Sequence, residues 1–297
     1  MRHSVRTYEV ILADLERTRL EWETYGHKLS PTRVGAYERE MRRLVELGPD
    51  GRAALSAEER GKTFLLGSEI SELLFASKIA LTREHLARSP RITDIFSGPD
   101  FARAEKDGSS NRPRNTLFEL TLAAYIELAG LRAEFGELTD VRTTFCGYAV
   151  SIEAKRPQTF GKAEANIRHA VKQLAVRSLD GNELRIIAVC IGKMLTNGTH
   201  ILTAQTKAAM SARLNKESDD FFTATRRYWE KKLHVDGLLV RISVAGVIDS
   251  EQRQYHAAPM TLFTRPGLTS DRSNLLKNFI GTLESNLPGQ PIIYAAT

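Results

Sequence analysis

Residues 140–157 read DVRTTFCGYAVSIEAKRP. Side chains alternate across a strand, so a strand over 148–155 puts Val150 and Ile152 on one face. Ala149, Ser151, Glu153 and Lys155 share the other. Pro157 ends the strand, because proline cannot donate to a ladder. Gly147 makes a tight turn back to a second strand over 141–146, and the hairpin brings Asp140 beside Glu153 and Lys155. Two carboxylates held together repel unless a cation lies between them. A hard divalent ion meets that need, and Mg²⁺ takes one or two carboxylates together with phosphate oxygens. Such an ion acidifies a bound water and neutralises charge on a phosphoryl group. A lysine there holds the attacking water or offsets growing negative charge. That is an arrangement for cutting a phosphodiester. A surface ion pair accounts for Glu153 and Lys155 taken alone.

The flanking segments add to the pattern. Before the hairpin, residues 115–130 (NTLFELTLAAYIELAG) predict a helix over about 116–129. Glu119 has Leu122, Ala123 and Ile126 at +3, +4 and +7, and a carboxylate on an apolar face is costly unless it meets a cation. Thr116-Leu117-Phe118-Glu119 is also a capping-box pattern, so Glu119 reads equally as a helix cap and as a metal ligand. After the hairpin, residues 162–178 (KAEANIRHAVKQLAVRS) predict an amphipathic helix. Lys162, Asn166, His169, Gln173 and Arg177 share one face, and Ile167, Ala170, Val171 and Leu174 form the adjoining apolar one. With Arg156 at the strand end, the basic residues Lys162 and Arg177 and the amide of Asn166 suit a nucleic-acid backbone.

The segment from Asn115 to Ile191 resembles the PD-(D/E)XK nuclease superfamily, the restriction-endonuclease-like fold. The residues that carry the resemblance are Glu119, Asp140, Glu153-Ala154-Lys155 running into Arg156-Pro157, and Gln173 in NIRHAVKQLA. It implies a mixed sheet in helix–strand–strand–strand–helix–strand order. It also implies Asp140 and Glu153 as ligands of Mg²⁺ or Mn²⁺, Lys155 as the catalytic lysine, Glu119 as the first-helix acid and Gln173 as the helix glutamine. Thr139, not proline, precedes Asp140, while the literal Pro99-Asp100 lies in a loop, leaving Asp100 as a contact over the site. The implied activity is metal-dependent cleavage of nucleic acid, DNA before RNA. Two other readings use the same residues: a non-catalytic nucleic-acid-binding protein, and a nuclease subunit silent until a ligand or partner triggers it.

Further out, residues 1 to about 90 predict helices. Tyr8, Ile11, Leu12, Leu15 and Trp22 keep to one face, as do Val34, Tyr37, Met41, Leu44 and Leu47; a third helix is expected over 58–86. Residues 96–114 predict a loop, broken by Gly98, Pro99, Gly108 and Pro113. Short strands are expected at 133–135, 184–191, 236–248 and 258–264, with helices over 204–232 and 270–283. The expectation is a mixed α/β fold: an N-terminal helical region (1–95) for partner, dimer or target recognition, and a nuclease-like region (96–297, core 115–192).

Composition narrows the function classes. The chain has 297 residues, 42 Lys+Arg against 36 Asp+Glu, and a formal charge of +6, which suits a polyanionic partner without requiring one. No apolar run approaches the roughly 20 residues of a membrane span, and the N-terminus has no signal-peptide core. Two cysteines make no disulfide framework, so a reducing, cytoplasmic setting is expected, with Cys146 and Cys190 as small buried hydrophobes. No G-x-x-x-x-G-K-[ST] loop, histidine–cysteine zinc pattern or G-x-S-x-G elbow occurs. The aromatics of FFTATRRYWEKK (221–232) read more readily as core than as a stacking platform.

Overall fold

The computed structural model describes residues 5–100, 104, 111–136, 139–176, 182–196, 200–251, 253–286 and 292–293. In chain order its elements begin with β1 (Val5–Arg6), α1 (Tyr8–Thr24), α2 (Arg33–Glu46), α3 (Gly48–Ala53), α4 (Ala57–Leu81) and α5 (Glu84–Ala87). A 3₁₀ turn (Ile92–Phe96) precedes α6 (Arg112–Leu128), β2 (Val141–Phe145), β3 (Tyr148–Lys155), α7 (Phe160–Ala175) and β4 (Glu183–Cys190). Then come α8 (Gly192–Thr196), β5 (Leu202–Ala204), α9 (Lys207–Thr225), β6 (Gly237–Arg241) and β7 (Val244–Ile248). The last are β8 (Arg253–Ala257), β9 (Met260–Thr264), α10 (Ser270–Ser285) and β10 (Ile292–Ile293).

The main sheet has the order β2-β3-β4-β6-β9. Strands β3, β4 and β6 are parallel, and the antiparallel β2 and β9 close the two edges. A smaller sheet, β5-β7-β8, stands beside it. The fold is therefore mixed α/β. Both faces of the parallel strands are apolar because helices cover both. On one face Val150, Ile152, Leu184, Ile186, Ala188 and Leu239 pack with α1, α2, α4, α6 and α10 in a single cluster. On the other, Ile187, Val189, Leu238 and Val240 pack with α7 and α9. The N-terminal helices thus share a core with α6 and the sheet.

Several element boundaries differ from those expected, each for a local reason. Helix α6 begins at Arg112 instead of near Thr116, because Pro113 fits a first helical turn rather than breaking one. The strand expected at 133–135 is a single bridge, Glu134 to Arg142. The run 236–248 divides at Ile242–Ser243 into β6 and β7, which belong to different sheets. The run 258–264 shortens to β9, and Ala258 and Pro259 separate it from β8. Helix α9 stops at Thr225, and Leu202–Ala204 before it is a strand. Helix α4 stops at Leu81, with α5 a separate short turn. Cys146 is exposed, not buried: it occupies the β2–β3 turn at φ 49°, next to Gly147 at φ 80°, while Cys190 is buried as expected. Phe221 and Trp229 are fully buried and Phe222 stacks on Phe263 at 4.4 Å, which makes these aromatics core. Among the described residues no helix is long and apolar enough to cross a membrane.

Candidate functional site

Strand register sets the first cluster. Val141 pairs with Ile152, so the residue before β2, Asp140, comes level with the end of β3. The Asp140 carboxylate accepts from the Ala154 backbone N–H at 2.8 Å and from Lys155 Nζ at 3.1 Å. Lys155 Nζ also donates to Glu153 Oε2 at 3.3 Å. One ammonium therefore sits between the two carboxylates that the hairpin was expected to unite. Glu153 is paired in register with Ile187, which places it on the sheet face that α7 covers, and it is fully buried.

Glu119 joins from α6. Because α6 starts at Arg112, Glu119 lies past its first turn, and the capping alternative is overturned. Its side chain is 4% exposed, and its Oε2 lies 2.5 Å from Arg91 Nη2. That approach lacks hydrogen-bond alignment, so Oε2 remains a buried acceptor with no hydrogen bond among the described residues. Arg91 Nη1 is 3.8 Å from Asp140 Oδ1, and its guanidinium lies over the Phe135 ring at 5.4 Å. Burial, then the charge of Asp140, push the Glu119 carboxyl up to about 8, with Glu153 adding to the rise; Arg91 and Lys155 pull the other way and do not offset it. Three carboxylates and two cations thus share one desolvated spot. Arg91 went unnoticed in the sequence, since it is far from the hairpin in chain order and belongs to no motif.

The remaining expected residues scatter. Gln173 is half-buried on α7, and its Oε1 has no hydrogen-bond partner among the described residues. Asn166 donates to the Lys162 carbonyl at 2.8 Å, inside its own helix, and Lys162 is exposed. Arg177 lies outside the described residues. Asp100 is exposed, and its main-chain carbonyl accepts from Arg114 Nη2 at 3.1 Å. Arg156 follows Lys155 directly but lines a different feature, a cleft between α4, α6 and the carboxyl ends of β3 and β4. No three histidine, cysteine or acidic side chains are grouped as a ready metal-binding set among the described residues. Within the acidic cluster, Lys155 and Arg91 stand between the carboxylates.

The cleft is the second polar feature. Glu72, on α4, pairs with Arg241 Nη1 at 2.5 Å, and Ser243 Oγ approaches it at 3.4 Å. His256 bridges Ser68 Oγ (2.5 Å at Nδ1) and Ser243 Oγ (3.3 Å at Nε2). Burial drives the His256 pKa down to about 4, so the ring is neutral at pH 7. Glu72 is held low, at about 2: burial opposes the shift, but Arg241 outweighs it, helped by His256 and Arg156. Glu69 meets Arg114 at 2.5 Å and the Tyr37 hydroxyl at 2.8 Å. Of these residues, the sequence had marked Arg156 as a backbone contact and Tyr37 as a helix-face core residue, but it gave no sign of Glu69, Glu72, Arg114 or Arg241.

No known protein-family profile matches the chain, and no curated protein matches it.

Proposed function

We propose that the chain is a metal-dependent nuclease of the PD-(D/E)XK type, on a restriction-endonuclease-like core formed by α6, β2, β3, α7 and β4, and that it hydrolyses phosphodiester bonds with DNA preferred. The observation that carries this reading is the Lys155 ammonium between Asp140 and Glu153, beside the buried carboxyl of Glu119. An ion pair that served only stability would not need a third buried carboxyl held near pH 8. The donors that suit Mg²⁺ or Mn²⁺ are all hard carboxylate oxygens, and Glu119 Oε2, although ion-paired with Arg91, is a buried acceptor with no hydrogen bond among the described residues. Glu119, Asp140 and Glu153 would hold the ion. Bound there, a divalent ion polarises a phosphoryl oxygen and acidifies water.

The protein's own groups do the rest. The Ala154 N–H fixes the Asp140 carboxylate, and Lys155 is held in turn by Asp140 and Glu153, so its ammonium is preorganised. From that position it orients the attacking water and offsets charge growing on the phosphate. Exposed basic residues on α7, Lys162 first, face the nucleic-acid backbone. Gln173 supplies an amide from the same helix. A homodimer or partner subunit would dock on the N-terminal helices.

A second reading is favoured by one feature. Glu153 is fully buried and Arg91 lies against Glu119, so the cluster is closed to substrate as arranged. A nuclease silent until a ligand or partner moves Arg91 fits that feature. A single assay separates the readings: single- and double-stranded DNA and RNA are incubated with Mg²⁺, Mn²⁺ or EDTA. Wild type should cleave only with metal, and Lys155→Met should lose at least about 100-fold while keeping its circular dichroism spectrum. Equal cleavage by Lys155→Met would refute the assignment of the lysine. Binding without cleavage in wild type would favour the silent reading, or a non-catalytic nucleic-acid-binding role.

A further inference from the structure

We infer that nucleic acid itself opens the carboxylate cluster: a backbone phosphate draws the Arg91 guanidinium off Glu119 and Asp140, so that nucleic acid and divalent metal bind cooperatively. This rests on the nuclease reading of the cluster, and it names the trigger that the silent reading leaves open.

The two cations of the cluster are held differently. The Lys155 side chain is 11% exposed and donates to Asp140 at 3.1 Å and to Glu153 at 3.3 Å, so its ammonium is fixed. The Arg91 side chain is 24% exposed. Among the described residues its guanidinium makes one hydrogen bond, from Nη1 to the Gly136 carbonyl, and that bond is long at 3.4 Å. Its approaches to Glu119 (2.5 Å) and Asp140 (3.8 Å) are ion pairs without hydrogen-bond geometry. The backbone around it is anchored. Ser89 Oγ donates to the Phe135 carbonyl at 3.3 Å, the Ile92 N–H donates to the Ser89 carbonyl at 3.0 Å, and Ile92 and Ile95 are buried. Arg91 is therefore a loosely held head on a long stem that starts from a fixed point.

Arg91 lies against the oxygens that Glu119 and Asp140 would offer an ion. Like charges repel, so metal entry requires Arg91 to leave. Leaving costs the guanidinium its counter-charge. A phosphodiester offsets that cost, because its two anionic oxygens match the guanidinium fork and it reaches Arg91 from the exposed side. The exchange frees Glu119 and Asp140 for the metal. A ligand that favours one state of a two-state element shifts the other site with it. The coupling is reciprocal, so metal tightens nucleic-acid binding by the same factor.

The test is calorimetric titration of the full chain with Mn²⁺, alone and with a short phosphorothioate DNA, duplex or single-stranded, that resists hydrolysis. Wild type should bind Mn²⁺ at least about tenfold more tightly with one of these DNAs present. Arg91→Met should bind Mn²⁺ about tenfold more tightly than wild type without DNA, and should gain little more from it. A gain in affinity cannot come from misfolding, and Arg91→Gln, expected to behave alike, replaces Arg91→Met if that variant does not fold. Arg88→Met removes a like charge from the exposed Arg88–Glu84 pair and should change Mn²⁺ affinity less than about twofold. The inference fails if DNA leaves wild-type Mn²⁺ affinity unchanged, if the folded Arg91 variant binds Mn²⁺ like wild type, or if Arg88→Met gives the same gain. Those three results leave the nuclease reading standing. If neither wild type nor variant binds Mn²⁺, with or without DNA, both fall together.

Discussion

Glu119 and Glu72 are both glutamates held in polar clusters beside α6, yet their carboxyls shift in opposite directions. Glu119, among the carboxylates of Asp140 and Glu153, is pushed up to about 8; Glu72, against Arg241, is held down at about 2. Burial raises both, so the difference comes from the sign of the neighbouring charge. The two clusters begin at consecutive residues. Lys155 turns to the sheet face of Glu153 and Asp140, while Arg156 lines the cleft on the α4–α6 side. Strand alternation thus separates an acid-rich site from a cation-rich one at the end of one strand. The contrast teaches that burial alone does not set the protonation of a polar cluster; its charge balance does.

The largest expected effect breaks the cleft side of this comparison. Arg241→Met leaves Glu72 without its main counter-charge, and stability to urea should fall by about 3–5 kcal/mol. Adding Glu72→Met should recover most of the loss. A single-variant cost under about 1 kcal/mol would mean that Glu72 is well hydrated and only weakly dependent on Arg241.

The acid-rich side should respond with the opposite pH dependence. Below the ordinary glutamate range Glu119 is protonated both folded and unfolded. As pH rises towards about 8 the unfolded chain loses that proton and the folded chain keeps it, so stability falls through this window. Glu119→Gln has no proton to lose. Its stability relative to wild type should rise by about 4 kcal/mol between pH 4.5 and pH 8, as read from denaturant midpoints. A pH-independent difference would deny the raised pKa. Glu72 runs the other way: its contribution is present above the ordinary glutamate range and is lost as pH falls towards about 2.

The smallest effect tests the exposed basic face of α7, which belongs to neither cluster. Lys162→Ala should weaken nucleic-acid binding similarly for all sequences and reduce the salt slope by about one. An unchanged slope would remove Lys162 from the phosphate contacts.

The hairpin was legible because its signals are local. Alternation over 148–155, Gly147 and Pro157 are read within a few residues, and the register that brings Asp140 level with Glu153 follows from them. Glu119 was half-legible. Its apolar neighbours marked it, but whether it capped a helix depended on where α6 begins, and Pro113 decided that. Arg91 was not legible, since its approach to Glu119 depends on how the 3₁₀ turn beyond it packs on α6. The cleft was illegible for the same reason. Arg33, Glu72, Lys193 and Arg241 come from four distant segments, and no periodicity links them.

By itself the sequence determined the alternation of β3, the amphipathic faces of α1, α2 and α7, and the meeting of Asp140, Glu153 and Lys155, because short-range backbone geometry sets these. Only the tertiary structure decided which charges became neighbours across the packed faces, and therefore that Glu119 keeps its proton to about pH 8 while Glu72 loses its own at about 2. Electrostatic interaction depends on distance through space and on exclusion of water, and neither is a property of position along the chain.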